Sequence, residues 1–300
     1  MEKHASHQPS GLPHAVGAYL IWGLVPLYFA LIEQVPAFEF VAWRVIFTLP
    51  VCIAIVLVRR QVASVIAALR NPRVVGLLVL SSALVASNWL TYVAAIQTGH
   101  VLATSLGYYI NPLINVLMGT LFLKERMSRT QWVAVAIAAV GVSLLAWGAR
   151  EMLGISLVLA ASFATYGLVR KLVPVGSLPG LTIETLATYT PAIAYLAWRA
   201  ASPAGIHFGA DWRVDLLLAG TGVVTAIPLL LFAEAARRMN YSTLGFIQFL
   251  APTIVFFLGL FVFHEPLRPV QLVCFVMIWS AAAIFVWDLW SRGRKVQPTP

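Results

Sequence analysis

The chain has 300 residues, of which 60% are hydrophobic and only 10% charged, with a mean hydropathy of +0.87. In soluble domains about a quarter of residues are charged, so a water-soluble fold has nowhere to hide this much apolar surface. The net charge of +9 would suit a nucleic-acid binder only if a soluble surface carried it, and the sequence leaves no room for one.

A bilayer core about 30 Å thick takes about 20 apolar residues per helix. Ten such windows follow one another: Leu12–Ile32, Phe38–Val58, Val74–Ile96, Val101–Leu123, Gln131–Trp147, Met152–Val169, Leu181–Trp198, Leu216–Ala236, Ser242–Phe263 and Val270–Trp287. They are continuously apolar instead of alternating, which selects helices over barrel strands. Trp22, Pro26 and Tyr28 interrupt the first window, and nine others follow it, so it reads as a retained helix and not a cleaved signal. Cys52 and Cys274 both lie inside windows, where a thiol behaves as a small hydrophobe.

Short loops rich in Lys and Arg stay cytoplasmic. With the N-terminus inside, the inner side collects Lys3, Arg59, Arg60, Arg70, Arg73, Lys124, Arg126, Arg129, Arg170, Lys171, Arg237, Arg238, Arg292, Arg294 and Lys295. The outer side receives only Arg150, Arg199, Arg213 and Arg268. Fifteen against four predicts that both termini are cytoplasmic.

Shifting the chain by 140 positions lays the fourth and fifth windows on the ninth and tenth. Pro112, Gly119, Glu125 and Gln131 fall on Pro252, Gly259, Glu265 and Gln271, within NPLINVLMGTLFLKERMSRTQW and APTIVFFLGLFVFHEPLRPVQL. Five windows per copy is an odd number, so the second copy enters the membrane upside down. The expected fold is an all-α membrane protein of ten transmembrane helices, built as two inverted five-helix repeats over residues 1–150 and 151–300. Inverted repeats are a mark of secondary transporters, whose two halves exchange conformations around one central site.

The text NWLTYVAAIQTGHVLATSLGYYINPLINVLMGTLFLKERMSRTQWVAV, with STLGFIQFLAPTIVFFLGLFVFHEPLRPVQL, resembles the two EamA units of the drug/metabolite transporter superfamily. WGLVPLYF, YGLVRK, IETL and IPLLLF extend the resemblance over nearly the whole chain, and toward the RarD branch, named as chloramphenicol-sensitive protein. The resemblance implies a ten-helix exporter in the bacterial inner membrane. Related members export amino acids, aromatic ones included, and assorted metabolites or drugs. It implies no cofactor; the expected partners are a small-molecule substrate and the lipid bilayer, without nucleic acid, and a monomer suffices.

Polar groups on one helix face are costly against lipid and useful against a cavity. The third window offers Ser81, Asn88, Thr91 and Tyr92; the fourth, Ser105, Tyr108, Asn111 and Asn115; the first, Tyr19, Trp22 and Pro26; the sixth, Ser162, Thr165 and Tyr166. Gln248 matches Tyr108 across the repeat. A neutral, aromatic, mid-membrane substrate site is therefore expected from Trp22, Asn88, Tyr92, Tyr108, Asn111, Tyr166 and Gln248. The same groups also fit simple helix-to-helix packing.

Charged candidates are Glu39, Arg44 and Glu184, for coupling or structure, with Glu39 and Glu184 near enough to headgroups for solvation. Arg44 fits either a structural ion-pair partner or a ligand for a substrate carboxylate. Glu234 is placed to neutralise Arg237 or Arg238, and Glu125 and Glu265 to hold their hairpins near the start of the next helix. No metal-ligand cluster, HExxH or nucleophile elbow occurs, so an enzyme is disfavoured. Efflux of chloramphenicol-type drugs and passive facilitation stay open as alternatives to amino-acid export.

Overall fold

The computed structural model of the chain describes residues 11–97, 101–148, 153–264 and 269–295. Among these there are twelve helices and no strand: α1 (Leu12–Ala30), α2 (Ala37–Val58), α3 (Val62–Leu69), α4 (Pro72–Gln97), α5 (Val101–Leu121), α6 (Arg129–Gly148), α7 (Leu153–Leu172), α8 (Ser177–Ala201), α9 (Trp212–Arg238), α10 (Tyr241–Gln248), α11 (Leu250–Phe261) and α12 (Pro269–Lys295).

Among the described residues, eight spans are long and apolar enough to cross a membrane: α1, α2, α4, α6, α7, α9, α10 with α11, and α12. α5 and α8 have the length, 21 and 25 residues, and α8 falls short in composition. Thr182, Glu184 and Thr185 dilute α8. All three side chains are buried, so the lower hydropathy of α8 marks a helix wrapped by other helices instead of by lipid.

Two local features differ from the expectation. α3 is a separate eight-residue helix between Arg60 and Arg70, packed through Ala68 on Val74, Leu78 and Val173, and too short for a window of spanning length. The ninth window breaks at Phe249 into α10 and α11. Pro252 has no N–H to offer the Gln248 carbonyl one turn earlier, which weakens the helix there.

Caps fix several helix starts. Ser128 and Gln131 form a reciprocal capping box at α6: Ser128 Oγ accepts from Gln131 N at 2.9 Å, and Gln131 Oε1 accepts from Ser128 N at 3.0 Å. Asn71 Oδ1 accepts from the backbone N–H groups of Arg73 and Val74 at α4. Asp211 caps α9 by accepting from Arg213 N at 2.9 Å.

Contacts between helix ends divide the bundle into two faces. On one, Gly11 packs against Ala235 and Met239, Glu125 meets Tyr241 and Ser242, Ser128 meets Asp288, and Lys171 Nζ donates to the carbonyls of Ala236 and Met239. This face carries Arg59, Arg60, Arg70, Arg73, Lys124, Arg126, Arg129, Arg237, Arg238 and Arg292. α1 begins here and α12 ends here. On the other, Ile32 and Val35 pack with Val214 and Leu218, and Glu39 meets Arg199 and His207.

Two apolar cores fill the space between. Tyr19, Tyr166, Phe232, Tyr241 and Leu244 join α1, α7, α9 and α10, while Leu106, Val116, Ala138, Phe246 and Phe285 join α5, α6, α10 and α12. α10 meets α5 so closely that a Cβ on Gly245 would lie 2.8 Å from the Pro112 carbonyl oxygen, so a residue without a side chain is required there.

Candidate translocation site

Most of the polar stripes hold helices together. Asn88 Nδ2 donates to the Leu159 carbonyl at 2.7 Å and to Ser162 Oγ at 3.0 Å, tying α4 to α7. Asn111 Nδ2 donates to the Ala160 carbonyl at 2.9 Å between α5 and α7. Asn115 Nδ2 donates to Gln248 Oε1 at 2.6 Å, joining α5 to α10. Tyr166 is buried and stacks on Phe232, and Trp22 packs against Tyr19, Phe163 and Phe232. These five expected site residues, Trp22, Asn88, Asn111, Tyr166 and Gln248, thus belong to a packed layer in this conformation. An amide N–H without a partner is costly in a low-dielectric interior, so the Nδ2 groups donate to a neighbouring side-chain oxygen or to a backbone carbonyl within reach.

Tyr92 and Tyr108 are placed differently. Their rings approach to 6.0 Å between α4 and α5. Tyr108 is deep within the protein, yet 51% of its surface is accessible, and Ser105, one turn before it, is exposed too. Depth combined with accessibility describes a cleft wall. Arg44 of α2 stands on the same side of the interior as both tyrosines. Its guanidinium carbon lies 4.5 Å from the centre of the Trp89 ring and about 6 Å from those of Phe29 and Phe40. Its Nε donates to Thr225 Oγ1 of α9 at 2.9 Å.

Arg44 and Tyr108 each stand seven residues from the start of their helices, about 10 Å from the face opposite the basic one. Toward the basic face the interior is shut by Asn111, Asn115, Gln248, Tyr166 and Tyr241, all buried. The cleft therefore opens away from the basic face. It differs from the expected neutral cavity, because Arg44 makes it cationic. Of the two roles open to Arg44, the ion-pair role is not seen: no described carboxylate pairs with it.

The carboxylates are also paired differently from expectation. Glu39 and Glu184 are buried, not solvated among headgroups. Glu39 accepts from His207 N at 2.6 Å and Trp43 Nε1 at 3.3 Å, and it pairs with Arg199 Nε at 3.4 Å and His207 Nδ1 at 2.9 Å. It clasps α2 to the segment beyond α8. Glu184 accepts from Ser81 Oγ of α4 and lies 3.6 Å from Nη1 of the wholly buried Arg170. Its Oε2 has no partner among the described residues, and it lines a cavity of about 20 Å³ with Thr48, Trp89, Tyr166, Thr188 and Thr225, room for about one water.

Glu234 pairs with Arg238 at i+4 and accepts from Ser177 Oγ at 2.7 Å. Glu125 does not cap the next helix, α6. It accepts from Tyr241 N at 2.6 Å and Ser242 N at 2.8 Å, at the start of α10. Asn240, the natural cap position there, provides no side-chain bond, so Glu125 supplies it from across the bundle. Glu265 lies outside the described residues.

Sequence reasoning passed over Trp89 and Thr225, placed Ser81 on a polar stripe without its partner Glu184, and counted Arg170 only as a charge of the inner side. Trp89 had a signal, since it stands three residues before Tyr92 on the same helix. Thr225 had none, because its importance comes from what faces it on another helix.

An all-helical bundle with eight membrane-length apolar spans and a polar-aromatic cleft between its helices defines a multi-pass membrane protein of the transporter class. The sequence pattern of the EamA-like transporter family matches residues 9–147. "Protein RarD" of Salmonella typhimurium is 44% identical over 97% of this chain and 99% of its own length. An "Uncharacterized transporter" of Vibrio cholerae is 41% identical over 96% and 95%. One solved crystal structure superimposes with a TM-score of 0.73 over 92% of this chain and 96% of its own, at 20% identity, and so shares the fold. The chain belongs to the EamA-like transporter family, in its RarD-like branch.

Proposed function

We propose that this protein is a secondary transporter that exports small metabolites from the cytoplasm by alternating access, with amino acids, neutral and aromatic ones included, as the leading substrates. The single observation that carries this reading is the cleft where Arg44, Trp89, Tyr92 and Tyr108 meet Thr225 of the other half. Polar and aromatic groups converge there at membrane depth, accessible from one face and closed from the other.

α5 and α8 complete ten crossings, residues 1–150 and 151–300 forming two inverted units. The packing pattern supports this. Exchanging α1 with α7, α2 with α8, α4 with α9, α5 with α10 and α11, and α6 with α12 turns the α1–α9 contact into α4–α7, α1–α11 into α5–α7, and α2–α9 into α4–α8, while α2–α8, α5–α10 and α6–α12 map onto themselves. The basic face is then cytoplasmic in a bacterial inner membrane, with both termini on it, and one chain suffices for function. Closure at the basic face, through Glu125 and Lys171, makes this the outward-open state.

Counterflow into proteoliposomes across a panel of amino acids, nucleobases and chloramphenicol tests the reading, with and without an imposed pH gradient. Amino-acid exchange that responds to the gradient is expected. Movement of chloramphenicol alone would replace amino-acid export by drug efflux, and gradient-independent equilibration would leave a passive facilitator.

A further inference from the structure

Several other described cations inside or beside the bundle have an anion or a helix end to meet. Arg170 pairs with Glu184, Arg199 with Glu39 and Arg238 with Glu234, while Lys171 binds two carbonyls at the end of α9. Arg44 stands a third of the way along a spanning helix with one hydroxyl as its only hydrogen-bond partner among the described residues. A cation at that depth is costly and is kept where a counter-charge arrives.

Resting on the transporter reading, we propose that Arg44 is the substrate ligand of the cleft: its guanidinium binds the carboxylate of a small organic acid whose apolar or aromatic body lies against Trp89, Tyr92 and Tyr108.

The surroundings of Arg44 pre-organise it for such a partner. Trp89, at 4.5 Å, takes one face of the guanidinium plane, with the Phe29 and Phe40 rings more distant. The bond from Nε to Thr225 Oγ1 fixes rotation about the end of the side chain. Neither Nη is bonded to a described residue. Two parallel N–H donors in a plane match the two oxygens of a carboxylate. A lone arginine balances one negative charge, which favours a monocarboxylate over a phosphate, for which a cluster of cations would be needed. The tyrosine and tryptophan rings favour an apolar or aromatic body. Thr225 lies on the far half, so a ligand on Arg44 sits on a contact that the two halves share.

The test uses the full-length purified protein and two probes of equal shape, 3-phenylpropionate and 3-phenylpropionamide, with L-phenylalanine as a third. Binding is read by intrinsic tryptophan fluorescence, and exchange by counterflow in proteoliposomes made from the same preparation. The acid is expected to bind about 10- to 100-fold more tightly than the amide, the range for losing a charge-assisted pair. Arg44→Gln brings that ratio to about one, and Arg44→Lys restores part of it, because a point charge survives without the fork. Equal binding of acid and amide to the unaltered protein overturns the proposal without need of a variant, and so does an Arg44→Gln protein that keeps the preference. If neutral solutes are exchanged with no preference for acids, only the role of Arg44 falls. If no member of the wider panel, acidic or neutral, binds or exchanges, the transporter reading falls with it.

Discussion

Glu125 fastens the end of α5 to the start of α10 at the basic face, and its removal has a calculable cost. Its carboxylate accepts from Tyr241 N, Ser242 N and Ser242 Oγ at 2.6, 2.8 and 2.7 Å. Loss of a helix cap costs about 1 kcal/mol, and charge-assisted bonds about 1.5–3 kcal/mol each before solvent screening. Because Glu125 is only half-buried, a discounted total of about 2–3 kcal/mol is appropriate for Glu125→Ala. At about 2–4 °C per kcal/mol, the apparent melting temperature in detergent falls by about 5–10 °C. Gly119→Ala attacks the same contact from another residue. Its Cβ would lie 2.5 Å from Ser242 Oγ, 2.7 Å from Glu125 Oε2 and 2.9 Å from Ser242 N, so the carboxylate and α10 cannot both keep their places. The two substitutions break one unit, and the double variant should melt close to the more damaged single one. Thermal unfolding followed by tryptophan fluorescence checks this. Unchanged melting in Glu125→Ala, or strictly additive losses in the double variant, would refute the latch.

Four further outcomes follow from the geometry. Tyr108→Ala should alter exchange or substrate preference and cost under about 1 kcal/mol, since half of the side chain is already accessible, whereas Asn111→Ala should cost about 1–2 kcal/mol by deleting the bond to Ala160; melting curves beside counterflow rates separate the two. Gly180→Ala places a methyl group on the Arg170 guanidinium and disturbs its pair with Glu184, so a loss of about 3 kcal/mol or more is expected, seen as poor recovery of folded protein in size-exclusion profiles. Glu184→Gln, at the wall of the small polar cavity, should change the dependence of counterflow on pH between about 6 and 8, while Glu39→Gln lowers thermal stability and leaves that dependence alone; the same profile for both would return Glu184 to a structural role. Reporter fusions at the two ends should both read cytoplasmic, and a split result would invert the face assignment.

The wording of the chain settled the environment first. Lipid demands long apolar stretches and inward basic loops, and both demands are local, so nine of the ten windows correspond to single helices within a few residues. The repeated Gln had a local meaning as well, since Gln131 completes a capping box with Ser128. The break at Phe249 was less legible, because Pro112 sits in an equivalent position and α5 runs through it unbroken. α3 was missed because a search tuned to spanning length passes over eight residues.

The site depended on pairings between helices, and sequence supplied only the candidates. Asn88, Asn111 and Tyr108 look alike on a helical wheel as members of polar stripes. Only the packing of α4 and α5 on α7 spent the two amides on the carbonyls of Leu159 and Ala160 and left Tyr108 facing open space. Glu39, Arg44 and Glu184 were visible as charges out of place, but their roles were set by His207, Thr225 and Arg170, which stand 168, 181 and 14 positions away in the chain. The sequence by itself determined that the protein lives in a membrane as a helical transporter of duplicated pattern, because hydrophobicity is a sum over neighbours along the chain. Which polar groups bind each other and which are left for a substrate was decided by tertiary structure alone, because in a low-dielectric interior a polar group gains most from a partner within reach, and nearness across helices is not written in sequence order.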